Sequence, residues 1–235
     1  MSNDNFLQIA KQAAIEAGKI ISKYSGKKHK LSIKNNDVSD FATIADTEAE
    51  RIITKILTTN FKDHSVIAEE GTRINKASEY TWLIDPLDGT ISYNVGLPYF
   101  SVSIGLLKDN RPILGVILDV SSDNLYWAQT GKGTYLNGKP INVSRQSSLD
   151  RAVVDLDFGH RSRRQQKIEN YVNPLATKVG YLYSFGPAAG ILGLISKGLF
   201  DGYVVQGWNW DFAAGAVIIR EAGGKVTDFK GNEPD

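Results

Sequence analysis

Apolar residues recur at helical spacing near the start of the chain. Phe6, Ile9, Ala10, Ala13, Ala17, Ile20 and Ile21 predict an amphipathic helix over residues 4–24, with Gly26 placed to close it. Ala49, Ile52, Ile53, Ile56 and Leu57 predict a second helix over 43–59. Asp46 and Glu48 lie near its start, where carboxylates suit the helix dipole. Between the two, Lys34-Asn35-Asn36-Asp37 reads as a polar loop. The pattern then shifts to alternation. Residues 65–68, 80–84, 99–107, 112–120 and 125–128 read as strands, and 134–141 as a hairpin turning at Asn137-Gly138.

Past residue 145 strand and helix alternate. Strands are expected at 152–156, 179–183, 201–206 and 225–229, and helices at 163–172, 187–197 and 211–222. Such alternation implies a parallel or mixed sheet covered by helices. The change of pattern divides the chain into an N-terminal α+β subdomain, residues 1–145, and a C-terminal α/β subdomain, residues 146–235.

Composition narrows the function classes. Lys+Arg number 27 against 26 Asp+Glu, a formal net charge of +1, so no basic excess calls for a nucleic-acid polymer or an anionic membrane. There is no cysteine, which removes disulfides, thiolate metal sites and a cysteine nucleophile. His29, His64 and His160 each stand alone, which speaks against a histidine-rich zinc site. No apolar run reaches membrane-span length, and the N-terminus lacks a signal-peptide pattern. A soluble, cytoplasmic protein is therefore expected.

The acidic residues carry the candidate chemistry. Asp85-Pro86-Leu87-Asp88-Gly89-Thr90 follows the apolar strand Trp82-Leu83-Ile84. Two carboxylates three residues apart across a proline-fixed turn can converge on one hard cation such as Mg²⁺. Gly89 permits close backbone approach, and a helical turn beginning near Ile91 would offer N–H groups to a phosphate. Taken alone, Asp-Pro and Asp-Gly are also ordinary turn formers. Further acids lie at strand or helix ends: Glu69-Glu70, Asp211, and the pair Asp40 and Asp46. Together they suit phosphate-ester hydrolysis, in which divalent ions neutralise the phosphate and a carboxylate–hydroxyl pair orients the attacking water.

Trp82 to Thr90 resembles the first signature of the inositol monophosphatase family, and Trp210 to Gly224 resembles its second. Glu69-Glu70, residues 40–46 and residues 131–138 fit the family in the same order. The resemblance implies a layered α/β/α/β/α fold, an N-terminal antiparallel sheet, a C-terminal mixed or parallel sheet, and a homodimer. It also implies a lithium-sensitive phosphomonoesterase that uses two or three Mg²⁺ ions on a small sugar or polyol phosphate. Carried over by position, the metal ligands are Glu69, Asp85, the carbonyl of Leu87, Asp88 and Asp211, most of them in the N-terminal subdomain. Asp46, Thr90 and Glu69 take catalytic roles in activating water. Glu69, Leu87, Asp88, Gly89, Thr90, Gly186, Pro187, Ala188 and Asp211 are the implied substrate contacts, and Lys34 matches a basic residue near the mouth.

Some positions depart from the family pattern. Inositol-specific members read Asp-Gly-Thr-Thr-Asn-Phe, and this chain reads Asp88-Gly-Thr-Ile-Ser-Tyr93. Their Gly-Thr-Ala-Ala wall is Gly186-Pro187-Ala188-Ala189, with a hydroxyl and an N–H lost at Pro187. A glutamate that contacts a sugar hydroxyl falls at Val205 or Gln206. The chain ends at Asp235, where members usually continue with a further strand and helix, so a short C-terminal subdomain is expected. The cluster His160-Arg161-Ser162-Arg163-Arg164 keeps a second phosphate open, as in fructose 1,6-bisphosphate or a 3′-phosphonucleotide. A non-catalytic, partner-binding protein is the alternative of another class.

Overall fold

The computed structural model describes residues 3–27, 31–34, 37–159 and 163–234, with side chains from residue 5 onward except 37–39. Helices α1 (Asn3–Tyr24) and α2 (Ile44–Asn60) form where the apolar stripes place them. Ala10, Ala13, Ala17 and Ile21 of α1 and Ala49, Ile53 and Leu57 of α2 are buried in one core. The chain turns into α2 through a reciprocal cap. Thr43 Oγ1 accepts from Ala45 N at 3.1 Å, and Asp46 Oδ2 accepts from Thr43 N at 2.7 Å.

Two strands precede α2, β1 (Ser32–Lys34) and β2 (Asp37–Ala42), paired antiparallel with Lys34 opposite Asp37. The expected polar loop is thus narrower than read, because the segments on either side satisfy each other's backbone groups.

The large sheet is built from β3 (Ser65–Ala68), β4 (Arg73–Ile74), β5 (Tyr80–Asp88), β6 (Ser101–Lys108), β7 (Arg111–Asp119), β8 (Asn124–Gln129), β9 (Thr134–Leu136) and β10 (Lys139–Ile141). Its order is β10-β9-β8-β7-β6-β5-β3-β4, antiparallel throughout except for the parallel pair β3–β5. The β9–β10 turn has Asn137 and Gly138 both at positive φ, 49° and 80°, as an Asn-Gly hairpin requires. Between β5 and β6 the short helix α3 (Thr90–Val95) forms.

One face of this sheet packs on α1 and α2 through Trp82, Ile84, Ile104 and Val116. The other carries α6 (Ala188–Ser196) and α7 (Asn209–Glu221), with Ile117 and Tyr126 against Ala189, Ala214 and Ile218. α7 lies unusually close. Gly105 and Gly115 are register partners on β6 and β7, and a Cβ on Gly115 would stand 2.1 Å from Ala214 O. The start of α7, with Asp211, is thereby pressed toward the end of β5.

Beyond α6 and α7 lies a second sheet of β12 (Tyr181–Tyr183), β11 (Val153–Leu156) and β13 (Gly202–Val204), all parallel, in that order. Val172 and Leu175 cover its outer face against Val154 and Leu156. The layers run α/β/α/β/α, as the resemblance implies.

Past residue 145 one expectation is modified and one fails. The helix expected over 163–172 forms and runs on to Ala176, as α4 (Arg164–Lys167), a π turn (Ile168–Val172) and α5 (Asn173–Ala176). Pro174 lacks the N–H and crowds the preceding turn, a usual cause of such a defect. Residues 225–229 form no strand. No described strand pairs with them, and alternation without a hydrogen-bonding neighbour does not make a strand. No described helix is long and apolar enough to cross a membrane.

Candidate active site

Parallel pairing places the first two carboxylates. Ala68 of β3 is opposite Ile84 of β5, and Glu69 N donates to Ile84 O at 3.0 Å. Glu69 and Asp85 therefore leave neighbouring strands side by side at their carboxyl ends. Asp85 Oδ1 accepts from Leu87 N at 3.0 Å, and the charge of Glu69 acts on it from the neighbouring strand end. The register then slips. Asp85 faces Ser103 and Asp88 faces Ser101, three residues set against two, so Pro86-Leu87 bulge and Asp88 is re-aimed. This bulge stands where a plain turn was expected.

Asp88 points toward α6, which has no side-chain cap of its own because Pro187 stands at its N-cap. Asp88 fills that role from another strand. Its Oδ1 accepts from Ala188 N at 2.9 Å, and its Oδ2 from Ala189 N at 2.9 Å, Gly190 N at 3.2 Å and Ser101 Oγ at 2.9 Å. Gly89 has φ +87°, and a Cβ there would stand 2.7 Å from Tyr99 O and 2.8 Å from Pro187 Cγ. Only glycine fits both the backbone angle and the contact.

Asp211 lies in the first turn of α7. Its Oδ2 accepts from Trp208 N at 2.7 Å. Arg73 lies over the ring of the preceding residue, Trp210, 5.2 Å from its centroid, and hydrogen-bonds Ala68 O. It thus ties the strand that carries Glu69 to the helix that carries Asp211.

Asp46 is buried in α2, its Oδ2 held by Thr43 and its Oδ1 accepting from Thr90 Oγ1 at 2.8 Å. Thr90 Oγ1 also lies 3.0 Å from Leu87 O. Lys34 Nζ reaches in from β1 to Glu69 Oε1 at 2.9 Å and Glu70 Oε1 at 2.6 Å.

Burial dominates the electrostatics. It raises Asp85 well above the ordinary carboxyl range, and the charges of Glu69, Asp88 and Asp211 add to the effect. It pushes Asp88 up to about 6, against the lowering effect of its helix and serine hydrogen bonds. Asp211 goes up to about 7, from burial opposed by Trp208 N and reinforced by Asp88, Glu69 and Asp157. Asp46 is also raised by burial, over its hydrogen bonds to Thr43 and Thr90. Burial alone would lower Lys34, but Glu69 and Glu70 outweigh it and hold the ammonium above its usual value.

Such a group of acids calls for positive charge. Among the described residues no three acidic or histidine side chains stand close enough together to grip an ion as they are. Each is spent on the protein instead: Glu69 on Lys34, Asp88 on α6, Asp211 on Trp208 N. In donor type the set fits Mg²⁺, being carboxylate and carbonyl oxygens with no sulfur or imidazole. Lys34 supplies a positive charge at Glu69 and Glu70.

A family model described as the inositol monophosphatase family matches residues 2–235. The chain belongs to this family. It is a family of Mg²⁺-dependent sugar-phosphate phosphatases. Over 224 residues, 94% of the chain and 85% of the relative, it is 39% identical to a fructose-1,6-bisphosphatase/inositol-1-monophosphatase of Aquifex aeolicus. It is 34% identical to Nus factor SuhB of Pseudomonas aeruginosa, over 96% of the chain and 86% of that protein. The crystal structure of extragenic suppressor protein suhB from Bartonella henselae superposes with a TM-score of 0.91 at 31% identity, covering 97% of this chain and 89% of that one.

Within this family member the expected site residues are not equally placed. Glu69, Asp85, Leu87, Asp88, Gly89, Thr90, Asp46, Asp211, Pro187 and Ala188 are joined through the contacts above. Gly186 precedes Pro187 at φ +98°, with open space beside it. Asp40 lies on β2, and Val205 and Gln206 follow β13. Arg163 and Arg164 are exposed at α4, while His29, His160 and Arg161 lie outside the described residues. His64 belongs to the core, stacked between Phe61 and Tyr80 with its Nδ1 accepting from Trp82 Nε1 at 3.1 Å. Trp208 is 68% exposed, with its ring stacked on that of Trp210.

Sequence reasoning missed Glu50. It is buried, and its carboxylate accepts from Glu70 N at 2.6 Å and Thr72 N at 2.9 Å, fixing the turn that follows Glu69. Its signal was its position, four residues after Asp46 on the same helix face.

Proposed function

We propose that the chain is a Mg²⁺-dependent phosphomonoesterase of the inositol monophosphatase type, hydrolysing a small sugar or polyol monophosphate. The observation that carries this reading is that Glu69 and Asp85 leave the paired strands β3 and β5 side by side, with Asp88 three residues on and Thr90 hydrogen-bonded to Asp46. Glu69, Asp85 and the Leu87 carbonyl would hold a first ion, Asp85, Asp88 and Asp211 a second, and Glu69 a weaker third. Bound there, Mg²⁺ neutralises phosphate charge and makes water a stronger acid.

The chain's own groups handle the proton. Thr90 Oγ1 takes a proton from the attacking water as its own passes to Asp46 Oδ1, 2.8 Å away. Burial raises Asp46, which suits it to accept that proton. The phosphate would be received at Gly89 and Thr90, at the start of α3. Gly186, Pro187 and Ala188 flank the rest of the substrate.

A second reading, a bisphosphate substrate, draws support from the likeness to the Aquifex aeolicus relative. Phosphate release from inositol 1-phosphate and fructose 1,6-bisphosphate, with Mg²⁺ and with chelator, tests both. Asp85→Asn is expected to abolish turnover while the thermal midpoint stays near that of the wild type. Chelator-resistant turnover, or an active Asp85→Asn protein, would overturn the proposal.

A further inference from the structure

Glu69 and Asp211 come from parts of the fold that are held in place separately. α7, with Asp211 in its first turn, rests mainly on β5, β6, β7, β8 and β9. Glu69 follows β3, which lies beyond β5 with only β4 outside it at the sheet edge. The separation of the two carboxylates therefore depends on whatever links that edge to α7.

Arg73 of β4 makes such a link. Its register partner is Ile67 of β3. Its Nη1 donates to Ala68 O and, at 2.8 Å, to Thr72 O. Thr72 O also accepts from Ala68 N at 3.0 Å, so the guanidinium is seated on the turn that carries Glu69. The same guanidinium lies over the indole of Trp210, 5.2 Å from the ring centroid.

Trp210 depends on contacts of this kind. Its Nε1 is buried and has no hydrogen-bond partner among the described residues. No side-chain hydrogen bond therefore sets the angle of the ring. Stacking holds it instead, from Arg73 and from Trp208, whose ring lies 5.4 Å away at 18°. The Trp210 carbonyl accepts from Ser103 Oγ at 3.4 Å. Asp211 is the next residue, so a shift of the ring passes straight to its carboxylate.

We propose that Arg73 is a positioning residue: stacked on Trp210 while it holds the Ala68 and Thr72 carbonyls, it fixes the separation of Glu69 and Asp211 over which Mg²⁺ is bound. Arginine suits the task because its planar group can offer a face to a ring and in-plane N–H groups to carbonyls together. A lysine ammonium, a single compact charge, serves one of these partners at a time. The inference rests on the Mg²⁺-dependent reading above and adds a residue that touches neither metal nor substrate.

The test is calorimetric titration of the protein with Mg²⁺ in the absence of substrate, alongside thermal midpoints. Arg73 is exposed, so replacing it leaves no cavity. Arg73→Met is expected to weaken Mg²⁺ binding about two- to fivefold, the range of one exposed cation–π contact, with Arg73→Lys in between. In a Trp210→Leu background, Arg73→Met should cost less than it does in the wild type, because the two residues act through one contact. Unchanged Mg²⁺ affinity in Arg73→Met, whatever its thermal midpoint, overturns the proposal, as do fully additive effects in the double variant. Tighter binding in Arg73→Met overturns it as well, since the arginine charge would then be opposing Mg²⁺. Each of these results leaves the phosphatase reading standing. Wild-type protein that takes up no Mg²⁺ brings down that reading and this proposal together.

Discussion

Thr90 Oγ1 and Asp46 Oδ1, 44 positions apart in sequence, are joined by a 2.8 Å hydrogen bond that ties the start of α3 to the first turn of α2. Asp46 is doubly committed, since its other oxygen completes the α2 cap through Thr43. The same carboxylate thus caps a helix and orients a hydroxyl beside Leu87 O.

Removing that hydroxyl should affect chemistry more than binding. Thr90→Ala is expected to lower kcat by about 10²- to 10³-fold, the range of general acid–base catalysis, while Thr90→Ser keeps most of it. Steady-state kinetics with calorimetric Mg²⁺ titration separate the two effects. Wild-type kcat in Thr90→Ala would rule out the proton path.

Glu50 offers a test of positioning. Its carboxylate holds Glu70 N and Thr72 N, and through them the turn that presents Glu69. Glu50→Ala is expected to cost about 1–3 kcal/mol of stability, by leaving buried N–H groups without acceptors. The Mg²⁺ concentration needed for half-maximal activity should also rise, with Glu50→Gln in between. An unchanged Mg²⁺ activation curve in Glu50→Ala would remove Glu50 from the site's support.

Asp155 should leave its mark on stability against pH. Burial pushes it up to about 6, against the hydrogen bond from Phe185 N and with help from Asp157. Its folded value lies above its unfolded value, so the fold is favoured while the group is protonated. That contribution is complete below pH ~4 and is lost as pH rises through about 6, on the order of 2 kcal/mol. Asp155→Asn keeps an acceptor for Phe185 N and stays neutral. Its thermal midpoint, relative to wild type, should therefore climb between pH 4 and pH 8. A constant difference across that range would contradict the burial of an ionising carboxyl here.

Local periodicity placed α1, α2 and the hairpin at Asn137-Gly138 within a residue or two, because their apolar stripes and turn residues are local signals. It failed at residues 225–229, where alternation met no neighbouring strand, and it did not foresee the π turn at Ile168–Val172 just before Pro174. It also missed β1 and β2, which are short and carry little alternation.

For the candidate site, the sequence by itself determined which groups are present: carboxylates at strand and helix ends, a glycine before Thr90, and no cysteine. It also carried the family, since two long motifs of fixed composition are legible without coordinates. Only the tertiary structure decided how those groups are used. Parallel pairing of β3 with β5 sets Glu69 beside Asp85, and the bulge at Pro86-Leu87 turns Asp88 onto the N-terminus of α6. Packing of α7 on Gly105 and Gly115 brings Asp211 toward them. Glu50 and Ser101 gain their roles the same way. The physical reason is that hydrogen bonds and charge interactions depend on distances of a few ångströms. Between residues far apart in the chain, register and helix packing set those distances, and no local pattern records them.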